Sequence, residues 1–125
     1  METISENEAF FLVAMNASEE SSLKELRWEF ERWICEGFNV TNIIKALIND
    51  GTLLLSEREE EGFHDYSKED SLTLSESWSS SESWNTILYL TDAGYRRWET
   101  DDWGITTKRA QHLMYCNQGN IRRVK

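Results

Sequence analysis

A run of apolar side chains at steps of three and four limits the fold more than any other feature. Leu23, Leu26, Phe30, Trp33 and Ile34 recur in this way until Gly37. Such spacing sets all five on one side of a helix, while Lys24, Glu25, Arg27, Glu29, Glu31 and Arg32 fill the other. An amphipathic helix of this length persists only when its apolar side meets another apolar surface. The chain must therefore supply that surface nearby. Trp28 falls off the stripe, and its exposure would mark a contact surface.

Two further helices answer the requirement. Ser5-Glu6-Asn7-Glu8 has the form of a capping box, in which the hydroxyl takes the amide three residues on and the glutamate reaches back. The helix it opens runs to about Ala17. Phe10, Phe11, Ala14 and Met15 line one side, and Leu12 and Val13 widen it, so this helix is expected to be largely buried. Asn39 or Thr41 caps a third helix whose stripe is Ile43, Ile44, Leu47 and Ile48, with Gly51 at its end. Beyond it, Thr52-Leu53-Leu54-Leu55 reads as a short buried strand and Asn85–Leu90 as a second, rich in β-formers. Residues 56–71 are acidic and read as irregular, and residues 71–84 are serine-rich with room for one short helical turn. Thr91 caps a helix from Asp92 to about Thr100. After Trp103 two readings stay open: Ile105-Thr106-Thr107 suits an extended segment, Ala110-Leu113-Met114 a helix.

Helix, helix, turn, helix, strand, long loop, strand, helix is an order with a precedent. Ile43-Ile44-x-x-Leu47-Ile48-x-x-Gly51-x-Leu53 is similar to the junction of recognition helix and strand in winged helix-turn-helix domains. Tyr89-Leu90-Thr91-Asp92-Ala93-Gly94-Tyr95 resembles the entry into the helix after the wing in that superfamily. Together the two segments cover roughly residues 23–100. The resemblance implies a helix-rich α+β fold: a winged-helix-like three-helix core, a two-stranded β-ribbon pairing residues 52–55 with 86–90, and a long insert in the wing. It also implies a DNA-binding position for the third helix, whose outward residues are Thr41, Asn42, Lys45 and Asn49.

Charge bears on that implication. The net charge is −10, and residues 41–85 hold ten acids and three bases. Affinity for nucleic acid is built largely by neutralising phosphates, so this stretch disfavours a duplex. Residues 104–125 hold no acid and five bases, among them Lys108, Arg109, Arg122 and Arg123. This basic segment has three uses open to it: nucleic acid, an acidic partner, or the acidic body of its own chain. The division expected is a winged-helix-like domain over residues 1–103 and a basic C-terminal segment over 104–125, packed or partly disordered. At 125 residues one domain suffices. The longest apolar run, Ala9 to Met15, falls far short of the ~20 residues that span a bilayer, and no basic leader precedes it. A cytoplasmic protein with no membrane partner is expected.

No constellation signals catalysis. There is no nucleophile elbow and no glycine-rich phosphate loop, and neither histidine has an acid–base partner at motif spacing. His64-Asp65 near Glu59, Glu60 and Glu61 lacks the alternating ligands of a calcium loop. His112 and Cys116 are a half-site for zinc at most, and Cys35 is the other thiol, 81 positions from Cys116. No enzyme, metal or cofactor is expected. The favoured reading is an acidic winged-helix-like module that binds a basic protein partner, of the inhibitor or immunity type, with a homodimer also open. The alternative is a DNA-binding regulator that uses helix 41–50 and the basic segment. For the first, the partner-facing surface expected is the insert of residues 57–84, with Glu59, Glu60 and Glu61 beside Phe63, Tyr66, Trp78 and Trp84. Trp98 and Trp103 are expected in the core.

Overall fold

A computed structural model of the protein describes residues 2–118, and Arg122 and Arg123 lie outside them. The fold is helix-rich α+β, with the first and third helices, the start of the second, the pairing of residues 53–57 with 86–90 and the helix at 92 where the sequence places them. Helix α1 (Glu6–Ser18) is its axis. Both halves of the capping box form, Glu8 N–H donating to Ser5 Oγ at 3.1 Å and Ser5 N–H to Glu8 Oε1 at 2.8 Å. Ala9, Leu12, Val13, Ala14 and Ala17 are wholly buried, so α1 needs cover on nearly every side. The helices Val40–Asn49, Asp92–Thr100 and Thr107–Gln118 and the strand Thr86–Leu90 provide it.

Helix α2 (Leu23–Glu31) starts from a second capping box, Ser22 with Glu25. It stops six residues before Gly37. Trp33–Cys35 is instead a strand, β2, paired in parallel with β1 (Glu2–Ile4), Glu2 opposite Trp33 and Ile4 opposite Cys35. The physical reason is that Trp33 serves either element: as the end of an apolar helical stripe or as the buried member of a Trp-Ile-Cys strand. The distant pairing with the N-terminal strand decides between them, and helical periodicity carries no information about it.

Helix α3 (Val40–Asn49) buries Val40, Ile43, Ile44, Leu47 and Ile48. It closes with paired backbone bonds: Gly51 N–H to Ile48 O and Thr52 N–H to Leu47 O, at 3.2 and 2.9 Å. Gly51 holds φ +86°, the left-handed conformation this ending requires. The chain then enters β3 (Leu53–Glu59), the centre of an antiparallel sheet ordered β4-β3-β5. The register with β5 (Thr86–Leu90) runs from Leu53 opposite Leu90 to Glu57 opposite Thr86. Leu53, Leu55, Leu88 and Leu90 make the buried inner face against the core.

The expected two-stranded ribbon is a three-stranded sheet, and residues 56–71 are ordered rather than irregular. Strand β3 continues through Glu57-Arg58-Glu59, turns at Glu60-Glu61 and returns as β4 (Gly62–Asp65). Polar residues of low β-propensity are strands here because cross-strand pairing, rather than local preference, holds them. Helix α4 (Lys68–Ser75) follows, capped by Ser67, then a 3₁₀ turn at Trp78–Ser80. Ser71 and Ser75 are fully buried, and these small side chains let α4 lie close on α3 and β3, with Ser71 Oγ accepting from Leu55 N–H at 3.1 Å.

Helix α5 (Asp92–Thr100) is capped by Thr91. The basic segment opens as helix α6 (Thr107–Gln118), which resolves its ambiguity in favour of a helix. Its Leu113 is wholly buried in the core beside α1. Among the described residues, no helix is long and apolar enough to cross a membrane.

Candidate protein-binding surface

Alternation along the sheet builds a pocket on its outer face. Residues two apart on a strand share a face, and the register puts Asp65, Ser56 and Ile87 side by side in one row across β4, β3 and β5. Phe63 and Tyr89 belong to the same face, each two residues along its strand from that row and on opposite sides of it. Strands stand about 4.8 Å apart, so β4 and β5 side chains face each other across roughly 10 Å. The small Ser56 between them leaves a slot. The result is a pocket of about 270 Å³, lined by Glu20, Ser56, Phe63, Asp65, Ile87 and Tyr89. Its floor, Ser56 and Ile87, is 1% exposed, whereas Phe63 is 56% exposed.

Two carboxylates edge the slot. Ser56 Oγ donates to Asp65 Oδ1 at 2.8 Å, which fixes that side chain. Glu20 comes from the end of α1, where the chain runs beside β5 and Leu88 N–H donates to Ser21 O at 2.9 Å. It holds φ +54°, a left-handed conformation that costs a non-glycine residue about 1–2 kcal/mol. Neither Glu20 nor Asp65 meets a cation within salt-bridge distance among the described residues. Burial, and then the negative charge of Asp65, push the Tyr89 phenol above its ordinary pKa.

Of the seven residues expected to face a partner, the structure gathers four on the hairpin. Glu59, Glu60 and Glu61 are exposed at its tip, one turn from Phe63. Tyr66 belongs to the other side, its hydroxyl donating to Glu57 Oε1 at 3.1 Å. Trp78 is core: it is 7% exposed, packs edge-on against Phe30 and donates its indole N–H to Thr41 Oγ1 at 2.9 Å. Trp84 is 47% exposed and rests on Trp28, ring centroids 5.0 Å apart. Trp103 is buried, as expected, and Trp98 packs on the core half-covered. Glu20, Ser56, Asp65, Ile87 and Tyr89 escaped sequence reasoning as a group. Extending the strand pairing one residue beyond Leu55 would have aligned Ser56 with Ile87, but Asp65 joins that row only through β4.

Three residues of the DNA-binding alternative, Thr41, Lys45 and Arg109, have other partners. Thr41 accepts from Trp78, and Lys45 is ion-paired with Glu76 after α4. Asn42 and Asn49 are exposed. On the basic segment, Arg109 is ion-paired with Glu2 and Glu8, which holds the Glu2 carboxyl below its ordinary pKa, and Lys108 is exposed. Helix α4 and its flanking turn therefore lie along one side of α3, and Arg109 serves the acidic body of its own chain.

Elsewhere the fold seats its own cations in frames of aromatic rings and carboxylates. The Arg97 guanidinium carbon lies 4.4 Å from the Trp103 ring centre. Its Nε and Nη1 bond Asp101 and Asp50 at 2.9 and 2.8 Å. Lys24 Nζ stands 4.9 Å from the Trp84 ring centre and 2.9 Å from Glu82. Hydrogen bonds from Lys24 and Arg27 bring the Glu82 carboxyl down to about 2. Compared with protein-family models, curated proteins and solved structures, the chain matches none.

Proposed function

We propose that this protein is a non-enzymatic acidic binding module that engages a basic protein through the β3–β4 hairpin and the outer face of its sheet. One observation carries the reading: three exposed glutamates with no cation partner among the described residues stand at a hairpin tip beside an exposed phenylalanine and an acid-edged pocket. Exposed charge attracts a cationic partner over a distance, and apolar contacts then hold it. The winged-helix resemblance belongs to the same proposal, with α1, α2 and α3 as the core, the β3–β5 pairing as the wing ribbon, and β4 and α4 within its long insert. In that arrangement α4 lies along the helix that would otherwise enter a groove, which favours a protein partner over a duplex.

The test is capture from host lysate, with and without nuclease, by the native chain and by the triple variant Glu59→Gln, Glu60→Gln, Glu61→Gln. A basic protein retained by the native chain is expected to associate about tenfold more slowly with the variant at low salt, an effect that fades as salt rises. The melting temperature should hardly move, because these side chains are exposed. Retention that ignores the three glutamates, or that disappears with nuclease, overturns the reading in favour of a different surface or of nucleic acid. Sedimentation of the purified chain checks for a homodimer.

A further inference from the structure

We infer that the pocket between Phe63 and Tyr89 receives a single arginine side chain of the partner, an inference that rests on the protein-binding reading above. The chain itself shows how it holds cations: Arg97 stacks over Trp103 with Asp50 and Asp101 on its guanidinium, and Lys24 sits by Trp84 with Glu82. The outer-face pocket repeats this composition. Its lining holds two aromatic rings, Phe63 and Tyr89, toward opposite ends of the row, Ile87 between them and two acidic residues, Asp65 and Glu20, but no cation of the described chain. Arg58 stands opposite Phe63 on β3 and lies outside the lining. An acidic, ring-lined pocket suits a cation that can also stack. Guanidinium is planar, stacks on rings and presents several donors in one plane, whereas ammonium is a compact, strongly hydrated charge. Glu20 adds its own argument. Glycine is the comfortable residue at φ +54°, yet this position, which lines the pocket, carries a glutamate.

The probes are three blocked tripeptides, acetyl-Gly-X-Gly-amide with X as arginine, lysine or citrulline, titrated into the 15N-labelled full chain by NMR. The arginine peptide is expected to give saturable amide shifts centred on Ser56, Phe63, Asp65, Ile87 and Tyr89. The lysine peptide should bind about threefold more weakly or worse, and citrulline, which keeps the shape and loses the charge, should not saturate. Asp65→Asn and Phe63→Ala should each weaken the arginine peptide in a protein that keeps its native spectrum. Glu20→Gly should weaken it while raising the melting temperature, an outcome that a purely structural role for Glu20 cannot produce. Arg58→Ala should leave it unchanged or tighten it. Equal binding of citrulline, shifts scattered over the acidic surface, or indifference to both Asp65→Asn and Phe63→Ala would overturn the assignment. The two readings fail separately. A partner lost with Glu59–Glu61 but indifferent to Asp65→Asn removes the pocket and keeps the module; an arginine peptide in the pocket with no hairpin-dependent partner does the reverse.

Discussion

Replacing Gly94 by alanine is expected to lower the unfolding free energy by about 3 kcal/mol, near the top of the range for forcing a methyl into a packed site. An added Cβ would lie 1.9 Å from the Thr52 carbonyl oxygen and 2.9 Å from its carbon, both backbone atoms. No side-chain rotation relieves such a clash. The strand entry at Thr52 or helix α5 would have to move. That carbonyl also accepts Thr91 N–H at 3.0 Å, so displacing it disturbs the cap that starts α5. Elsewhere in a helix, glycine to alanine gains up to about 1 kcal/mol of propensity. The sign at Gly94 therefore separates the two effects cleanly. Urea denaturation followed by tryptophan fluorescence measures it. An unchanged or increased stability would mean that α5 does not approach the α3–β3 junction as closely as the structure places it.

Sequence reasoning succeeded where a local pattern and the global fold ask for the same thing. The Ser5–Glu8 capping box, the stripe Ile43-Ile44-Leu47-Ile48 and the left-handed ending at Gly51 are written within one or two helical turns, and each formed. Glycine inside a helix is unfavourable without a reason, and at Gly94 the reason is the close approach of the Thr52 carbonyl. Failures came where a distant segment decides. Trp33–Cys35 left the helical pattern for a strand paired with residues 2–4. Glu57-Arg58-Glu59 became a strand because β4 pairs along all three residues and β5 reaches Glu57, a fact no local propensity contains. The candidate site inherits both behaviours. The acidic tip and Phe63 were visible as composition. The pocket was invisible, because it exists only once three strands and the end of α1 fix the row Asp65, Ser56, Ile87.

The two tryptophans of the serine-rich segment are expected to part company. Alanine at Trp78 should cost about 3–5 kcal/mol, the usual loss for a large buried aromatic. The indole fills the space between α2 and α3, meets Phe30 edge-on with ring centroids 5.8 Å apart, and ties the segment after α4 to Thr41 at the start of α3. Phenylalanine at the same position keeps most of the burial but loses the hydrogen bond, so its cost should fall to about 1–2 kcal/mol. Trp84 is half exposed, and its contacts are the edge of Trp28 and the ammonium of Lys24. Alanine there should cost only about 1 kcal/mol, the scale of an aromatic pair or an exposed cation–π contact. Equilibrium unfolding of the three variants checks the order Trp78→Ala, Trp78→Phe, Trp84→Ala. A loss at Trp84 as large as at Trp78 would make it a lid over the core. With stability preserved, a fall in partner capture by Trp84→Ala would extend the binding surface from the sheet to the outer side of α2, where Trp28, Lys24 and Trp84 stand together.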